Sequence, residues 1–116
     1  MLSILESSQG DCAVLELTGR LDAKTSPELE NKLAAHRARG KKIFLLDFTN
    51  LAYMSSAGLR VLVSAAQTAE DNGGQLMLSA MCSAVKEIFD VTGFSDLFQI
   101  YISKEKALQS LSEKRV

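Results

Sequence analysis

The amino-acid sequence predicts one α/β domain over residues 1–116, with a mostly parallel, four- to five-stranded mixed sheet packed with about four helices. Three observations predict this fold class. Segment 12–18 alternates between two kinds of side chain as a strand does. Segment 43–48 is largely apolar, as in a strand covered on both faces. Segment 59–69 has apolar residues at helical spacing, and such alternation of strands and helices favours a parallel sheet.

The N-terminal segment predicts an antiparallel hairpin before the parallel part. Residues 2–5 form a weaker strand candidate than segment 12–18, whose Ala13, Leu15 and Leu17 lie on one side. Between the two segments, Gln9-Gly10-Asp11 has the composition of a tight turn. We therefore expect the first strand to pair with the second through a short hairpin.

The first helix is predicted from its start and stop signals. Ser26-Pro27-Glu28 combines a serine that can accept from unpaired amides, a proline suited to the first turn and an acid near the positive helix end. The helix is expected to run to about Ala38 and to stop at Gly40.

The C-terminal half predicts two more strands and two more helices. Strands are expected over 76–80 and 98–102, with a helix over 82–91 between them. Ser103 is a candidate cap for a short last helix. Segment 49–54, between the buried strand and the second helix, is expected to be a short loop.

Composition and motifs argue against enzymatic activity, a cofactor or a metal site. The net charge is −1, which gives no general attraction to nucleic acid or anionic lipid. Neither GxGxxG nor GxxxxGK[ST] occurs, and Cys12 and Cys82 lie far apart without a histidine cluster. The single histidine, His36, is interpreted as an exposed residue of the first helix, at the wrong place for a catalytic triad.

The chain is expected to be a cytoplasmic protein that does not insert into membranes. Its longest apolar run, 43–46, is far shorter than the ~20 residues of a membrane span. The first residues lack the charged start and apolar stretch of a signal peptide.

The segment 46–62 stands out because it places Ser55 and Ser56 at the start of an amphipathic helix, followed by Ala57 and Gly58. One serine can be an N-cap, which stabilises a helix by ~1 kcal/mol. A cap does not require a second serine, nor a glycine that costs up to ~1 kcal/mol against alanine in a helix. Close approach of a partner's backbone would explain Gly58. The pattern alone leaves a functional serine and a simple cap both open.

The stretch 53–62, Tyr-Met-Ser-Ser-Ala-Gly-Leu-Arg-Val-Leu, resembles the phosphoacceptor motif of bacterial anti-sigma factor antagonists, which are single STAS domains. Residues 19–22, Gly-Arg-Leu-Asp, resemble that family's Gly-x-Leu-Asp signature, and strand 43–47 leads into the motif at the family spacing. The resemblance spans nearly the whole chain. It implies that the chain is a single STAS domain.

The resemblance also assigns roles to individual residues. It implies that Ser56 is the phosphoacceptor, with Ser55 as second choice, since Ser55 stands where the family often has aspartate. It places Asp22 on a neighbouring loop beside the acceptor, where the alternative is a cap for the first helix. Arg60 is exposed by periodicity, either as a partner contact or as a solvated side chain. The predicted partner-binding residues are Asp22, Ser55, Ser56, Ala57, Gly58 and Arg60.

By resemblance, the unphosphorylated chain binds an anti-sigma factor that is also a serine/threonine kinase, and phosphorylation switches it off. The kinase supplies ATP and magnesium, and a separate serine phosphatase resets the switch. The alternatives are a STAS subunit of a membrane transport or lipid-transport complex, and a small-molecule or nucleotide sensor domain.

Overall fold

The computed structural model describes residues 1–114, and its elements are β1 (Leu2–Gln9), β2 (Cys12–Leu21), α1 (Ser26–Ala38), β3 (Ile43–Met54), α2 (Ser56–Asp71), β4 (Gln75–Ser79), α3 (Ser83–Thr92), a 3₁₀ turn (Phe94–Leu97), β5 (Gln99–Tyr101) and α4 (Lys104–Lys114). The five strands form one sheet in the order β1-β2-β3-β4-β5. β1 is antiparallel to β2, and β2 to β5 are parallel. The predicted α/β class with a mostly parallel mixed sheet and four helices is confirmed.

The chain order of the parallel strands decides where the helices lie. Right-handed crossovers between neighbouring strands place α1, α2 and α3 on one face of the sheet. Leu29 of α1, Leu62 of α2 and Phe89 of α3 accordingly share one apolar core. On the other face, Ala107 of α4 packs in a smaller core with Leu45. The sheet is thus covered on both faces at its centre.

The alternation predicted for β2 is confirmed. Ala13, Leu15 and Leu17 belong to the core under α1 to α3, whereas Val14 belongs to the core under α4. Because successive side chains of a strand point to opposite faces, β2 contributes to both cores. This strand therefore anchors the N-terminal hairpin to the rest of the sheet.

The prediction of a loop over 49–54 is wrong, because β3 continues to Met54. β2 is also longer than expected, and its last residues pair with this part of β3, with Leu21 opposite Met54. Shifts of register after Glu16 and after Gly19 accommodate the pairing. Only Leu51 and Met54 bury their side chains in this segment, so its apolar signal was weak.

The N-terminal hairpin is confirmed, with β1 longer than the predicted 2–5. Gln9 pairs with Cys12 across two turn residues, and Gly10 has a φ of 59°. A glycine with positive φ at the first turn position is typical of a type II′ hairpin turn. The pairing continues without a bulge from this turn to Leu2.

His36 is buried, and its interpretation as an exposed residue is wrong. Its Nε2 lies 2.8 Å from Oε1 of Glu6 on β1, and Lys32 Nζ donates to the other oxygen of Glu6 at 2.9 Å. The hydrogen bonds from Lys32 and then His36 hold the pKa of Glu6 below its ordinary value. The spacing of Leu29, Leu33 and His36 along one helix face was the signal for this burial.

The elements of the C-terminal half lie within about one residue of their expected bounds. Gly93, with a φ of 76°, ends α3, and the 3₁₀ turn after it was not predicted. The predicted cap Ser103 is confirmed, because its Oγ accepts from the N–H of Lys106 at 3.1 Å. Within residues 1–114, no helix is both long and apolar enough to cross a membrane.

Candidate functional site

The site is built where β2 and β3 end side by side. Leu21 pairs with Met54 at these ends, and the next residues lead through Asp22 to α1 and through Ser55 to α2. The N–H of Ser55 donates to the carbonyl of Leu21 at 2.9 Å, which ties the two loops together. This is the carboxyl edge of a parallel sheet, the edge at which ligands of such sheets usually bind.

Ser55 is the N-cap of α2. It has an extended backbone, with φ of −95° and ψ of 173°, and its Oγ accepts from the N–H of Gly58 at 3.4 Å. Its carbonyl accepts the first helical hydrogen bond, from Leu59, at 3.0 Å. Ser55 is half-buried, and its hydroxyl is engaged in starting the helix.

Ser56 differs from its neighbour in both exposure and bonding. It is the first residue of α2 and is exposed. Among the described residues, no side-chain hydrogen bond involves its hydroxyl. It therefore presents an oxygen to solvent at the end of a helix where unpaired N–H groups and the helix dipole favour negative charge.

Gly58 is explained by packing inside the chain. It is buried in the first turn of α2, and a Cβ on it would lie 2.8 Å from Cγ and 3.0 Å from the carbonyl oxygen of Leu21. Contact that close does not occur in relaxed structures, so only glycine fits. The expected reason for this glycine, approach of a partner's backbone, is wrong, because β2 itself occupies the space.

Asp22 closes the loop before α1. Its Oδ1 accepts from the N–H groups of Lys24 at 3.0 Å and Thr25 at 3.1 Å. Thr25 Oγ1 in turn accepts from the N–H of Asp22 at 2.9 Å and donates to the carbonyl of Arg20 at 2.9 Å. The Thr25 N–H is the main cause of an Asp22 pKa below its ordinary value, and the Thr25 hydroxyl and Lys24 N–H add to it.

These contacts bear on two predictions about the start of α1. The alternative role predicted for Asp22, a cap before the first helix, matches the hydrogen bonds that its Oδ1 accepts from the backbone just before α1. The predicted cap Ser26 is wrong, because Thr25 occupies the N-cap position and makes no side-chain cap bond. Ser26 Oγ donates instead to the carbonyl of Asp22 at 2.5 Å.

Arg20 and Tyr53 border the site, and sequence reasoning missed them. They face each other across β2 and β3, and the Arg20 guanidinium carbon lies 4.1 Å from the centre of the Tyr53 ring. Arg20 Nε is also 4.0 Å from Oδ2 of Asp22. Both residues are exposed, so they add a cationic and an aromatic surface beside the loops. Recognising that segment 49–54 continues β3 would have placed this pair together.

Ala57 and Arg60 follow on α2. Ala57 is half-buried, and Arg60 is exposed as its periodicity predicts. Arg60 lies four residues after Ser56, so the two side chains share one face of the helix. Their predicted role in partner binding stays a prediction.

The sequence that forms this edge matches a known protein family. The sequence model of the STAS domain matches residues 5–107. The chain belongs to the STAS domain family. The matched range contains both loops of the site, together with all five strands in part or whole. The family resemblance found in the motif at 53–62 is thereby confirmed.

Relatives of this STAS protein carry the names of anti-sigma factor antagonists. BtrV of Bordetella bronchiseptica, so named, is 35% identical over 91 residues, covering 78% of each chain. An anti-sigma-B factor antagonist of Staphylococcus aureus is 28% identical over 99 residues, covering 85% of this chain and 92% of its own. The crystal structure of an anti-sigma factor antagonist from Mycobacterium paratuberculosis has a TM-score of 0.86 at 22% identity, covering 95% of this chain and 93% of its own. That likeness shows the shared fold.

The described part of this STAS domain contains no group of three or more His, Cys, Asp or Glu residues placed to hold a metal ion. Cys82 lies at the N-cap of α3, where its Sγ contacts the carbonyl of Leu51 at 3.5 Å. This contact joins α3 to the extended end of β3.

Proposed function

We propose that this STAS protein is an anti-sigma factor antagonist whose activity is switched by phosphorylation of Ser56. In its unphosphorylated form it binds an anti-sigma factor that is also a serine/threonine kinase, which releases the sigma factor. The kinase supplies ATP and magnesium, so this chain is substrate and ligand rather than catalyst. A separate serine phosphatase restores the active form in the cytoplasm.

The observation that carries the proposal is that two adjacent serines differ in hydrogen bonding and in exposure. Ser55 caps α2 with its hydroxyl, whereas Ser56 leaves its hydroxyl exposed and unbonded within the described residues. A kinase needs a serine hydroxyl that it can reach without unfolding the start of the helix. Ser56 meets that requirement, and using Ser55 would remove the cap. The names of the relatives support the same activity.

The fold tolerates a phosphate on Ser56. A phosphate adds about −1.5 to −2 charges, which at a helix N-terminus are stabilised by ~0.3–1 kcal/mol. The first turn of α2 contains no acidic residue that would repel it. Arg60, one turn along the same face, can approach the phosphate. Phosphorylation therefore changes the surface of the protein and leaves its stability intact.

The switch acts through the interface with the anti-sigma factor. A partner that covers Ser56 must bury the added charge, and an unpaired buried charge costs ~2–5 kcal/mol. We assign the partner-binding surface to the exposed Arg20, Tyr53 and Arg60 together with the half-buried Asp22 and Ala57. Ser55 and Gly58 hold this surface in place from behind.

Calorimetric titration of the anti-sigma factor with substituted chains tests the proposal. Ser56→Ala removes the phosphoacceptor. This variant is expected to bind the anti-sigma factor like the unphosphorylated native chain, and its binding should not be lost when ATP is added. Ser56→Asp adds a charge at the favourable helix end, and it is expected to bind ~10-fold more weakly or worse, which is about 1.4 kcal/mol. Thermal unfolding should show both variants folded.

Ser55→Asp is the matched control, because aspartate is also a good N-cap and adds the same charge one residue earlier. The proposal predicts a smaller loss of affinity for Ser55→Asp than for Ser56→Asp. Equal affinities of Ser56→Ala and Ser56→Asp for the anti-sigma factor would reject Ser56 as the switch. Failure of the unphosphorylated chain to bind any anti-sigma factor kinase of its own bacterium would reject the proposed activity.

A further inference from the structure

The two edges of the sheet are protected to different degrees. β5, at one edge, has three residues and pairs with β4 only over that length. β1, at the other edge, has eight residues and no bulge. Natural proteins protect exposed edges by short strands, bulges, prolines or lysines. β1 has none of these features.

The backbone of β1 presents hydrogen-bonding groups outward at every second residue. Gln9 and Cys12 flank a two-residue turn, so they form a hydrogen-bonded pair, and the pairs alternate from there. The odd-numbered residues of β1 therefore bond to β2, which the bond from Arg20 N–H to the carbonyl of Met1 confirms. The outward groups belong to Leu2, Ile4, Glu6 and Ser8, and within residues 1–114 no other element bonds to them.

The side chains of β1 offer one exposed apolar residue and no unpaired charge that would oppose pairing with another strand. Leu5 is 65% exposed at the centre of the strand. It points to the face opposite α1, because Glu6, its neighbour, points toward α1. Glu6 is the only charged residue of β1, and Lys32 and His36 of the same chain already pair with it. The negative charge of Glu6, which would otherwise disfavour pairing with another strand, is thus balanced within the same chain.

We infer that β1 is a homodimer interface, at which a second copy of this chain pairs antiparallel to join the two sheets into one. The two-fold axis passes through Leu5. In this register the outward groups of Ile4 bond to those of Glu6 of the second copy, and Leu2 pairs likewise with Ser8. The two Leu5 side chains face each other in a non-hydrogen-bonded pair, where Cβ atoms are ~4.5–5.5 Å apart. The residue left exposed in one copy is covered by its equivalent in the other.

The register follows from charge as well as from the apolar contact. Moving the axis by one residue would place Glu6 directly opposite Glu6 of the second copy, and like charges in that position are destabilising. It would also leave Leu5 opposite Ser7. The axis through Leu5 avoids both and forms three residue pairs on each side of the central Leu5 pair.

Light scattering with size-exclusion chromatography measures the first consequence. The native chain should change from the mass of a monomer to twice that mass as its concentration rises toward millimolar. Leu5→Lys should stay monomeric at the same concentrations, and it should unfold at the same temperature because Leu5 packs little within one copy. Ile102→Lys is the control, since Ile102 is 84% exposed just after β5, at the opposite edge. It should dimerise like the native chain.

Cysteine cross-linking tests the register. Leu5→Cys in a Cys82→Ser background should form a disulfide dimer under mild oxidation, because position 5 faces itself across the axis. Ser3→Cys in the same background should not, because position 3 faces Ser7 of the second copy. A native chain that is monomeric throughout, or equal cross-linking at positions 3 and 5, would overturn the inference.

Discussion

The two helices that begin at the carboxyl edge of the sheet start in different ways. Before α1, the side chains of Asp22 and Thr25 bond to each other's backbone and to Arg20, at distances of 2.9–3.1 Å. Before α2, one longer bond of 3.4 Å links Ser55 to Gly58, and the hydroxyl of Ser56 projects into solvent. The first loop satisfies its polar groups internally, and the second leaves one available.

Under the proposed function, the first loop supports the site and the second loop is recognised by the partner. Because β2 and β3 end together and Ser55 bonds to Leu21, the closed first loop fixes the position from which the second begins. The second loop can then keep an exposed hydroxyl without loss of order. We therefore expect substitutions before α1 to lower stability, and substitutions at Ser56 to change recognition only.

The largest loss of stability is expected for Thr25→Val. Valine keeps the shape of threonine, but it leaves the N–H of Asp22 and the carbonyl of Arg20 without the hydroxyl that serves both. A polar group left unsatisfied costs ~1–3 kcal/mol, which should appear in the free energy of unfolding measured with urea. Thr25→Ser keeps the hydroxyl and should lose clearly less. Equal losses for valine and serine would show that packing, rather than bonding, holds this loop closed.

A smaller loss is expected for Gly58→Ala. Alanine favours a helix by ~1 kcal/mol over glycine, yet its Cβ would meet the fully buried Leu21 at 2.8 Å. Overpacking costs ~1–3 kcal/mol, so the net change should be a loss of ~1 kcal/mol. In a double-mutant cycle, Leu21→Ala should cost less in the Gly58→Ala background than alone. A net gain in stability would contradict the close packing of the two loops.

The pair Ser55→Ala and Ser56→Ala compares the two serines directly. Loss of a cap costs ~0.5–2 kcal/mol, and the long bond from Ser55 places it at the low end, about 0.5–1 kcal/mol. Ser56→Ala, at an exposed site, should stay within ~0.5 kcal/mol of the native chain. Thermal or urea unfolding checks both. A larger effect at Ser56 than at Ser55 would exchange their structural roles.

The smallest effect is expected from titration of Asp22. Its folded-state pKa lies below the ordinary value of 3.8, mainly because the N–H of Thr25 donates to it. Its contribution to stability is therefore present above that ordinary value and is lost as the pH falls through the folded-state pKa. The difference in unfolding free energy between the native chain and Asp22→Asn should shrink over that acidic range. A difference that grows on acidification would contradict the hydrogen bonds assigned to the carboxylate.

Much of the fold could be predicted because its signals are local. The alternation in β2, the apolar run at the start of β3 and the spacing of α2 each follow from which face a side chain occupies. The extension of β3 to Met54 could not, because Thr49 and Asn50 are polar, and the segment is held in the sheet by the pairing of Asn50 and the residues after it with the end of β2. Such pairing depends on a segment about thirty residues away in the sequence.

For the candidate site, the places of the residues in the fold could be predicted better than their contacts. The position of Ser55 and Ser56 at the start of α2 follows from the sequence, but which serine caps the helix depends on the backbone of the loop. The role of Gly58 depends on Leu21, and the pairing of Arg20 with Tyr53 depends on the register of two strands. Local patterns contain no information on these contacts.

We propose that Ser56, and not Ser55, is the switch. Its most direct test is to incubate the native chain with its cognate anti-sigma factor kinase and Mg-ATP, and to locate the phosphate by intact-mass and fragment-ion mass spectrometry. We expect one added phosphate, on Ser56, and none on the Ser56→Ala variant, which keeps Ser55 and its cap. A phosphate on Ser55, or unchanged phosphorylation of Ser56→Ala, would contradict it.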